Sequence, residues 1–113
     1  MQITSLYDQI RYDEQRPALT VMIDNEHTKE IRIVFKKGQE MKEHKTKFPI
    51  VIEIVEGQID FGVDGQRHSL HKGSLIALEG GVPHDLRADD DSVVRLSLSK
   101  FDQASRVAQV VNS

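Results

Sequence analysis

Short apolar segments with alternating side chains follow one another from Ala18 to Ser99, and turn residues separate them. Segments of this length and period are typical of β-strands, because helices need longer runs with a period near 3.6 residues. The polar connections between them include "DNEHTK", "DGQ" and "DDDS". Seven or eight strands at this spacing predict an all-β sandwich or barrel, not alternating strands and helices.

One connection is specific enough to join two particular strands. Asp64-Gly65 separates the apolar segment "QIDFGV" from "RHSLHKG". A two-residue type I′ turn needs positive φ at both central positions, and Asp followed by Gly favours this conformation. The sequence therefore predicts a tight antiparallel hairpin at this point.

The segment "IVIEIV", residues 50–55, is apolar on both alternating faces except at Glu53. A strand of this kind is typically buried on both sides. One face suits a barrel interior, and the other face needs a cover. A second copy of the protein is the simplest cover, so we predict a homodimer. The alternative cover is the C-terminal segment of the same chain.

That C-terminal segment has a different pattern from the rest. After Asp102, a candidate N-cap, the apolar residues Ala104, Val107, Ala108 and Val111 have the spacing of one face of a helix. The pattern predicts a short helix over about residues 102–111. We expect it to dock on the barrel or on a partner, since a helix this short is marginal alone.

The size and composition of the chain exclude several classes. Its 113 residues fit one domain, with an N-terminal arm over 1–17, a barrel over about 18–99 and the C-terminal helix. There is no cysteine, so disulfides and thiolate chemistry are excluded. The net charge is −3 and the basic residues are dispersed, which argues against nucleic-acid binding. No apolar run reaches membrane-spanning length, and we expect a cytoplasmic protein.

Two stretches of the sequence resemble the motifs of the cupin superfamily. The first motif, G-x5-H-x-H-x3-E-x6-G, is matched at Gly38, His44 and Gly57. The second, G-x5-P-x-G-x2-H-x3-N, is matched at Gly73, Gly81 and His84. The resemblance covers roughly Ile31 to Leu98 and is to small bacterial, RmlC-like cupins. It implies a jelly-roll barrel, also called a double-stranded β-helix.

The departures from these motifs bear on function. Thr46 stands at the second histidine, Ile50 at the glutamate, Glu79 at the proline and Ala88 at the asparagine. In metal-binding cupins the histidines and the glutamate hold a metal, and here His44 and His84 are the ligands that remain. Two imidazoles without a carboxylate fall short of the ligand sets of catalytic zinc or non-haem iron. We therefore predict no tightly bound metal; a divalent transition metal, if present, would use His44 and His84.

The resemblance places the two histidines in the barrel interior. We predict that His44, Thr46 and His84 form the polar end of an apolar cavity lined by residues such as Met41, Phe48, Ile50, Ile52 and Leu96. Small-ligand sites typically combine apolar walls with a few convergent polar groups. The alternative is that both histidines are hydrogen-bonded barrel residues without a present task.

Three classes of function remain open. The first is a small-molecule-binding or sensory and regulatory cupin, whose ligand is unknown. The second is a metal-dependent enzyme of the dioxygenase, decarboxylase or isomerase type, using His44, His84 and an unidentified third ligand. The third is a non-catalytic dimeric scaffold. We favour the first and assign no catalytic residue.

Overall fold

The computed structural model describes residues 1–100, and all regular secondary structure in this part of the chain is β-strand. The strands are β1 (Ala18–Asp24), β2 (Thr28–Phe35), β3 (Glu40–His44), β4 (Ile50–Glu56), β5 (Gln58–Val63), β6 (Gln66–His71), β7 (Leu75–Leu78), β8 (His84–Ala88) and β9 (Ser92–Ser99). The predicted helix at about 102–111 lies outside the described residues. Within residues 1–100 no helix has the length and apolarity needed to cross a membrane.

The nine strands form two antiparallel sheets. The five-stranded sheet has the order β1-β2-β9-β4-β7, and the four-stranded sheet has the order β3-β8-β5-β6. Both sheets bury one face against the other, as expected for an antiparallel jelly roll. The all-β prediction is confirmed.

Alternating side chains from both sheets fill the interior. In β4 the residues that face inward are Ile50, Ile52 and Ile54, and each is at most 2 % exposed. Phe35 of β2 and Phe61 of β5 are completely buried in the same core. This period-2 burial is what the apolar alternation of the sequence predicts.

The hairpin between β5 and β6 has the predicted turn. Asp64 has φ 53° and Gly65 has φ 73°, and Val63 pairs with Gln66 across them. Positive φ at both central residues is the property that defines type I′ turns. The local sequence therefore fixes the register of this strand pair.

Gly57 makes a tight corner between β4 and β5 beside the start of β9. Its φ is 93°, and a Cβ at this position would overlap the side chain of Ser92. The Ser92 hydroxyl oxygen accepts a hydrogen bond from the backbone nitrogen of Gln58 at 3.0 Å. Only glycine meets both the positive φ and the close approach.

The N-terminal arm covers part of the outer face of the five-stranded sheet. Arg32, which is 4 % exposed, donates hydrogen bonds to the carbonyl oxygens of Leu6 at 3.0 Å and Asp8 at 2.7 Å. On the same face Val34 and Val93 are almost fully buried. The arm thus supplies a cover that the strand pattern alone did not identify.

Another part of this outer face carries apolar side chains that residues 1–100 leave exposed. Val51 of β4 is 39 % exposed, and Leu75 of β7 is 63 % exposed. The homodimer that we predicted from the apolar faces of β4 stays a prediction, and the mass of the protein in solution checks it.

Candidate functional site

The two motif histidines meet inside the barrel. His44 of β3 pairs directly with His84 of β8 in the four-stranded sheet. Their ring centroids are 4.5 Å apart and the ring planes are tilted by 59°. Residues opposite each other on paired strands share a face, so the strand register brings both imidazoles to the same side of the sheet.

A β-bulge in β3 directs His44 inward. Met41 pairs with Leu86 and His44 pairs with His84, so three steps along β3 match two steps along β8. In a regular strand, residues three apart point to opposite faces. The extra residue lets Met41 and His44 both line the interior. It also brings the carbonyl oxygen of Lys42 to 2.7 Å from His44 Nδ1.

His84 is the more buried of the pair. It is 2 % exposed and lies against the Phe61 ring, with the centroids 5.8 Å apart and the planes nearly parallel at 21°. Its Nδ1 lies 2.9 Å from the carbonyl oxygen of Val82, a residue that Pro83 restricts to extended conformations. Burial lowers the pKa of His84, and the neighbouring His44 lowers it further, against the raising effects of the Val82 carbonyl and Asp85.

The histidines form the polar end of a small cavity between the sheets. Its volume is about 20 Å³, and Thr46 is the other polar side chain in its wall. The apolar lining residues are Ile33, Met41, Ile52, Leu86, Val94 and Leu96. A cavity of this volume holds roughly one water molecule, so it can admit one small polar group.

The structure brings most of the predicted site residues together, with two exceptions. Met41, His44, Thr46 and His84 line the cavity, as do Ile52 and Leu96. Phe48 and Ile50 do not line it. Regular alternation from His44 would put Phe48 and Ile50 on its face, but β3 ends at His44 and β4 begins only at Ile50. Ile50 instead packs in the core.

Phe48 contributes to the site through its backbone. The Thr46 hydroxyl donates a hydrogen bond of 2.8 Å to the carbonyl oxygen of Phe48. The aromatic ring is partly exposed and lies under the Lys47 amino group, 5.6 Å from the ring centroid. The connection between β3 and β4 therefore orients Thr46 without placing an aromatic side chain in the cavity.

Three further residues line the cavity without having been predicted from the sequence: Ile33, Leu86 and Val94. They belong to β2, β8 and β9, which are distant in sequence from the first motif. The segment "VVRLSLS" could have identified Val94, because Val94 and Leu96 are two residues apart and therefore lie on the same face of a strand. The pairing of strands across the barrel was needed to place the other two.

The side chains around the pair do not fit a metal site. Among residues 1–100, no group of three His, Cys, Asp or Glu is arranged to hold a metal ion. Asp85, which follows His84, faces outward and forms a bidentate ion pair with Arg67 at 2.7 and 2.8 Å. The motif glutamate is replaced by the core residue Ile50. Two imidazoles alone fall short of the three protein ligands of catalytic zinc sites.

The other three histidines lie away from this cavity. His68 and His71 are exposed on β6, the edge strand of the four-stranded sheet. His27 is exposed in the connection between β1 and β2. The candidate site therefore consists of His44, His84 and Thr46, with apolar walls.

An antiparallel two-sheet barrel with inward histidines on two neighbouring, paired strands is typical of a double-stranded β-helix protein. The chain belongs to the cupin family: the family model described as "Cupin domain" matches residues 31–99. The match includes both motif segments, most of β2 and all of β3 to β9.

Solved structures support the same fold. An RmlC-like cupin from Desulfovibrio desulfuricans is 26 % identical, with 88 % of this chain and 96 % of that chain covered and a TM-score of 0.80. An RmlC-like cupin from Shewanella frigidimarina is 21 % identical, with 92 % and 96 % covered and a TM-score of 0.76. A conserved Streptococcus pyogenes protein of unknown function is 18 % identical, with 89 % of each chain covered and a TM-score of 0.75. No curated protein matches the chain.

Proposed function

We propose that this cupin binds a small molecule where His44 and His84 meet, at the end of the barrel that we call the open end because Met41, His44 and Thr46 are only partly buried there. The observation that supports the proposal is the hydrogen bonding of the two imidazoles. Each ring uses Nδ1 in a hydrogen bond to a backbone carbonyl, and no residue within 1–100 forms a hydrogen bond with either Nε2. Polar groups that serve only stability are normally bonded to other groups when buried, so these nitrogens are available to a ligand.

His44 is the more accessible ring of the pair. It is partly exposed, whereas His84 is 2 % exposed, so a ligand would approach the pair from the side of His44. A mostly apolar wall with a few convergent polar groups is typical of small-ligand sites. A binding protein of this kind would act as a sensor or regulator through a partner.

A thermal-shift screen of small polar compounds tests the proposal. We expect compounds that raise the melting temperature of the native protein to lose that effect in His44→Ala and in His84→Gln. His68→Ala is the matched control, because His68 is exposed on β6 outside the cavity. Compounds whose effect survives both site substitutions would place binding elsewhere. A screen without any stabilising compound would favour the scaffold class.

The metal-dependent enzyme is the alternative, and elemental analysis separates it from the proposal. The protein is purified without chelator, alongside a His44→Ala, His84→Ala double variant. We expect a transition-metal content far below one equivalent in both, because the described residues offer two ligands. Nearly one equivalent in the native protein, lost in the double variant, would contradict this expectation.

A further inference from the structure

The hydrogen bonds of the two histidines determine which ring nitrogen carries the proton. His44 Nδ1 is 2.7 Å from the Lys42 carbonyl oxygen, and His84 Nδ1 is 2.9 Å from the Val82 carbonyl oxygen. A carbonyl oxygen can only accept, so each Nδ1 must donate its hydrogen. In the neutral ring the other nitrogen, Nε2, then has a lone pair and no hydrogen. Both Nε2 atoms are acceptors.

The third polar side chain of the cavity is an acceptor for the same reason. Thr46 donates its single hydroxyl hydrogen to the carbonyl oxygen of Phe48 at 2.8 Å. Its Oγ1 keeps lone pairs but has no further hydrogen to donate. The other side chains of the lining are apolar. The polar side chains of the cavity thus offer three acceptors and no donor.

Burial of the His84 ring favours its neutral, acceptor form. The pKa of His84 is lowered, chiefly by burial. A positive charge on both rings would place two like charges in neighbouring imidazoles whose centroids are 4.5 Å apart, which is unfavourable. The Asp85 carboxylate raises the pKa of His84, but it faces away from the cavity and is paired with Arg67. Among residues 1–100, the polar side chains in the cavity wall are His44, Thr46 and His84.

The size of the cavity limits what can reach these acceptors. A volume of about 20 Å³ admits one heavy atom with its hydrogens, roughly the size of a water molecule. A carboxylate is larger and would bring only acceptors towards acceptors. A hydroxyl or a primary ammonium group is the right size and brings one to three hydrogens, while the rest of its molecule lies outside the cavity.

We propose that the site recognises its ligand by a terminal hydrogen-bond donor of one heavy atom, a hydroxyl or a primary ammonium group, and rejects carboxylates. This inference rests on the proposed binding function and adds the chemical class of the anchoring group. Replacing ordered water by a group that reproduces its hydrogen bonds retains affinity, whereas a group that cannot do so loses it. His44, Thr46 and His84 are the residues that accept hydrogen bonds from this donor group of the ligand.

Nitrogen NMR of the imidazoles tests the inference with three small probes. Long-range ¹H–¹⁵N correlation spectra of labelled protein near neutral pH identify the protonated nitrogen of each ring. We expect Nδ1 to be protonated in both His44 and His84. Ethanol and ethylammonium are titrated separately, and we expect one or both to shift the two Nε2 resonances, while acetate leaves them unchanged. His68 and His71, both exposed on β6, are the internal control.

The outcomes separate this inference from the proposed function. A protonated Nε2 on either ring, a shift with acetate, or no shift with either donor probe would overturn the donor inference. If a compound from the thermal-shift screen binds through a carboxylate and loses its effect in His44→Ala, the binding function stands and the donor inference fails. If binding is insensitive to both histidines, the proposed function fails, and the inference that rests on it fails as well.

Discussion

The two ends of the barrel interior are packed in different ways. At the closed end, beside Gly57 and Ser92, the side chains of Phe35, Ile54 and Ile59 are completely buried. At the open end, Met41 and Leu96 are only partly buried, and the pair His44–His84 and Thr46 interrupt the apolar surface. The same β-strands pass through both regions. Buried apolar residues such as Ile52 and Val94 also line the open end, so the two ends differ mainly in the polar side chains at the open end.

This difference means that the closed end is expected to determine stability and the open end to determine binding. Protein interiors are packed as densely as organic crystals, so a lost side chain at a closed site leaves a void. Polar groups with unused hydrogen-bonding capacity, in contrast, stabilise little by themselves.

The largest effect is expected from truncating the closed end. Phe35→Ala removes a completely buried ring and should lower the free energy of unfolding by about 3 to 5 kcal/mol. Phe48→Ala is the matched control, because that ring is partly exposed beside the open end, and should cost about 1 kcal/mol. Equilibrium urea denaturation measures both. Equal losses would contradict the proposed division between the ends.

The corner at Gly57 should give the next largest effect. Gly57→Ala introduces a Cβ that overlaps the side chain of Ser92, and the new alanine must also adopt positive φ. Together these effects should lower the free energy of unfolding by roughly 2 to 3 kcal/mol. Gly38→Ala has the same positive φ but open space around the new Cβ. The difference between the two variants in the same denaturation experiment isolates the packing contribution. If Gly38→Ala were as destabilising, backbone strain alone would explain the corner.

The open end should make stability dependent on pH. The pKa of His84 is lower in the folded protein than in the unfolded chain, so the unfolded chain binds the proton more readily. Stability from this group is present above a pH of about 6.5 and is lost as the pH falls below it, at up to about 1.4 kcal/mol per pH unit. Urea midpoints measured from about pH 7 to about pH 5 should fall less steeply in His84→Gln than in the native protein. If the urea midpoints of both proteins fell equally with pH, carboxylates and not His84 would account for the pH dependence.

The smallest effect on stability is expected at Thr46. Thr46→Val removes one partly exposed hydrogen bond, to the Phe48 carbonyl, and should cost about 0.5 to 1.5 kcal/mol. The same substitution removes one of the three acceptors of the cavity, so the response to ethylammonium or ethanol should weaken. A loss of unfolding free energy comparable to that of Phe35→Ala would show that the open end is packed as tightly as the closed end.

Most of the fold could be predicted from the sequence because its signals are local. The alternation of β2, β4 and β9 and the turn at Asp64-Gly65 depend on neighbouring residues and on backbone geometry. The strand β3 was the exception. Its sequence "EMKEH" is largely charged, and the bulge destroys the period-2 pattern that identifies a strand.

The site could be predicted only in part, because its geometry depends on distant strands. The motif spacing identified His44 and His84, and their pairing across β3 and β8 explains why the two positions belong together. Phe48 was placed in the cavity by extending the alternation through residues 45–49, where the chain is not a strand. Leu86 reached the cavity by strand pairing, which no single segment reveals.

The bulge in β3 has a consequence for how this site could be gained or lost in evolution. The inward position of His44 depends on the number of residues between it and Met41 as much as on its side chain. Deleting Glu43 alone would restore regular alternation and turn either Met41 or His44 outward, without changing any residue that lines the cavity. We therefore expect the insertion or deletion of one codon at this point to create or abolish the site. Single substitutions of Lys42 or Glu43 should leave the site intact.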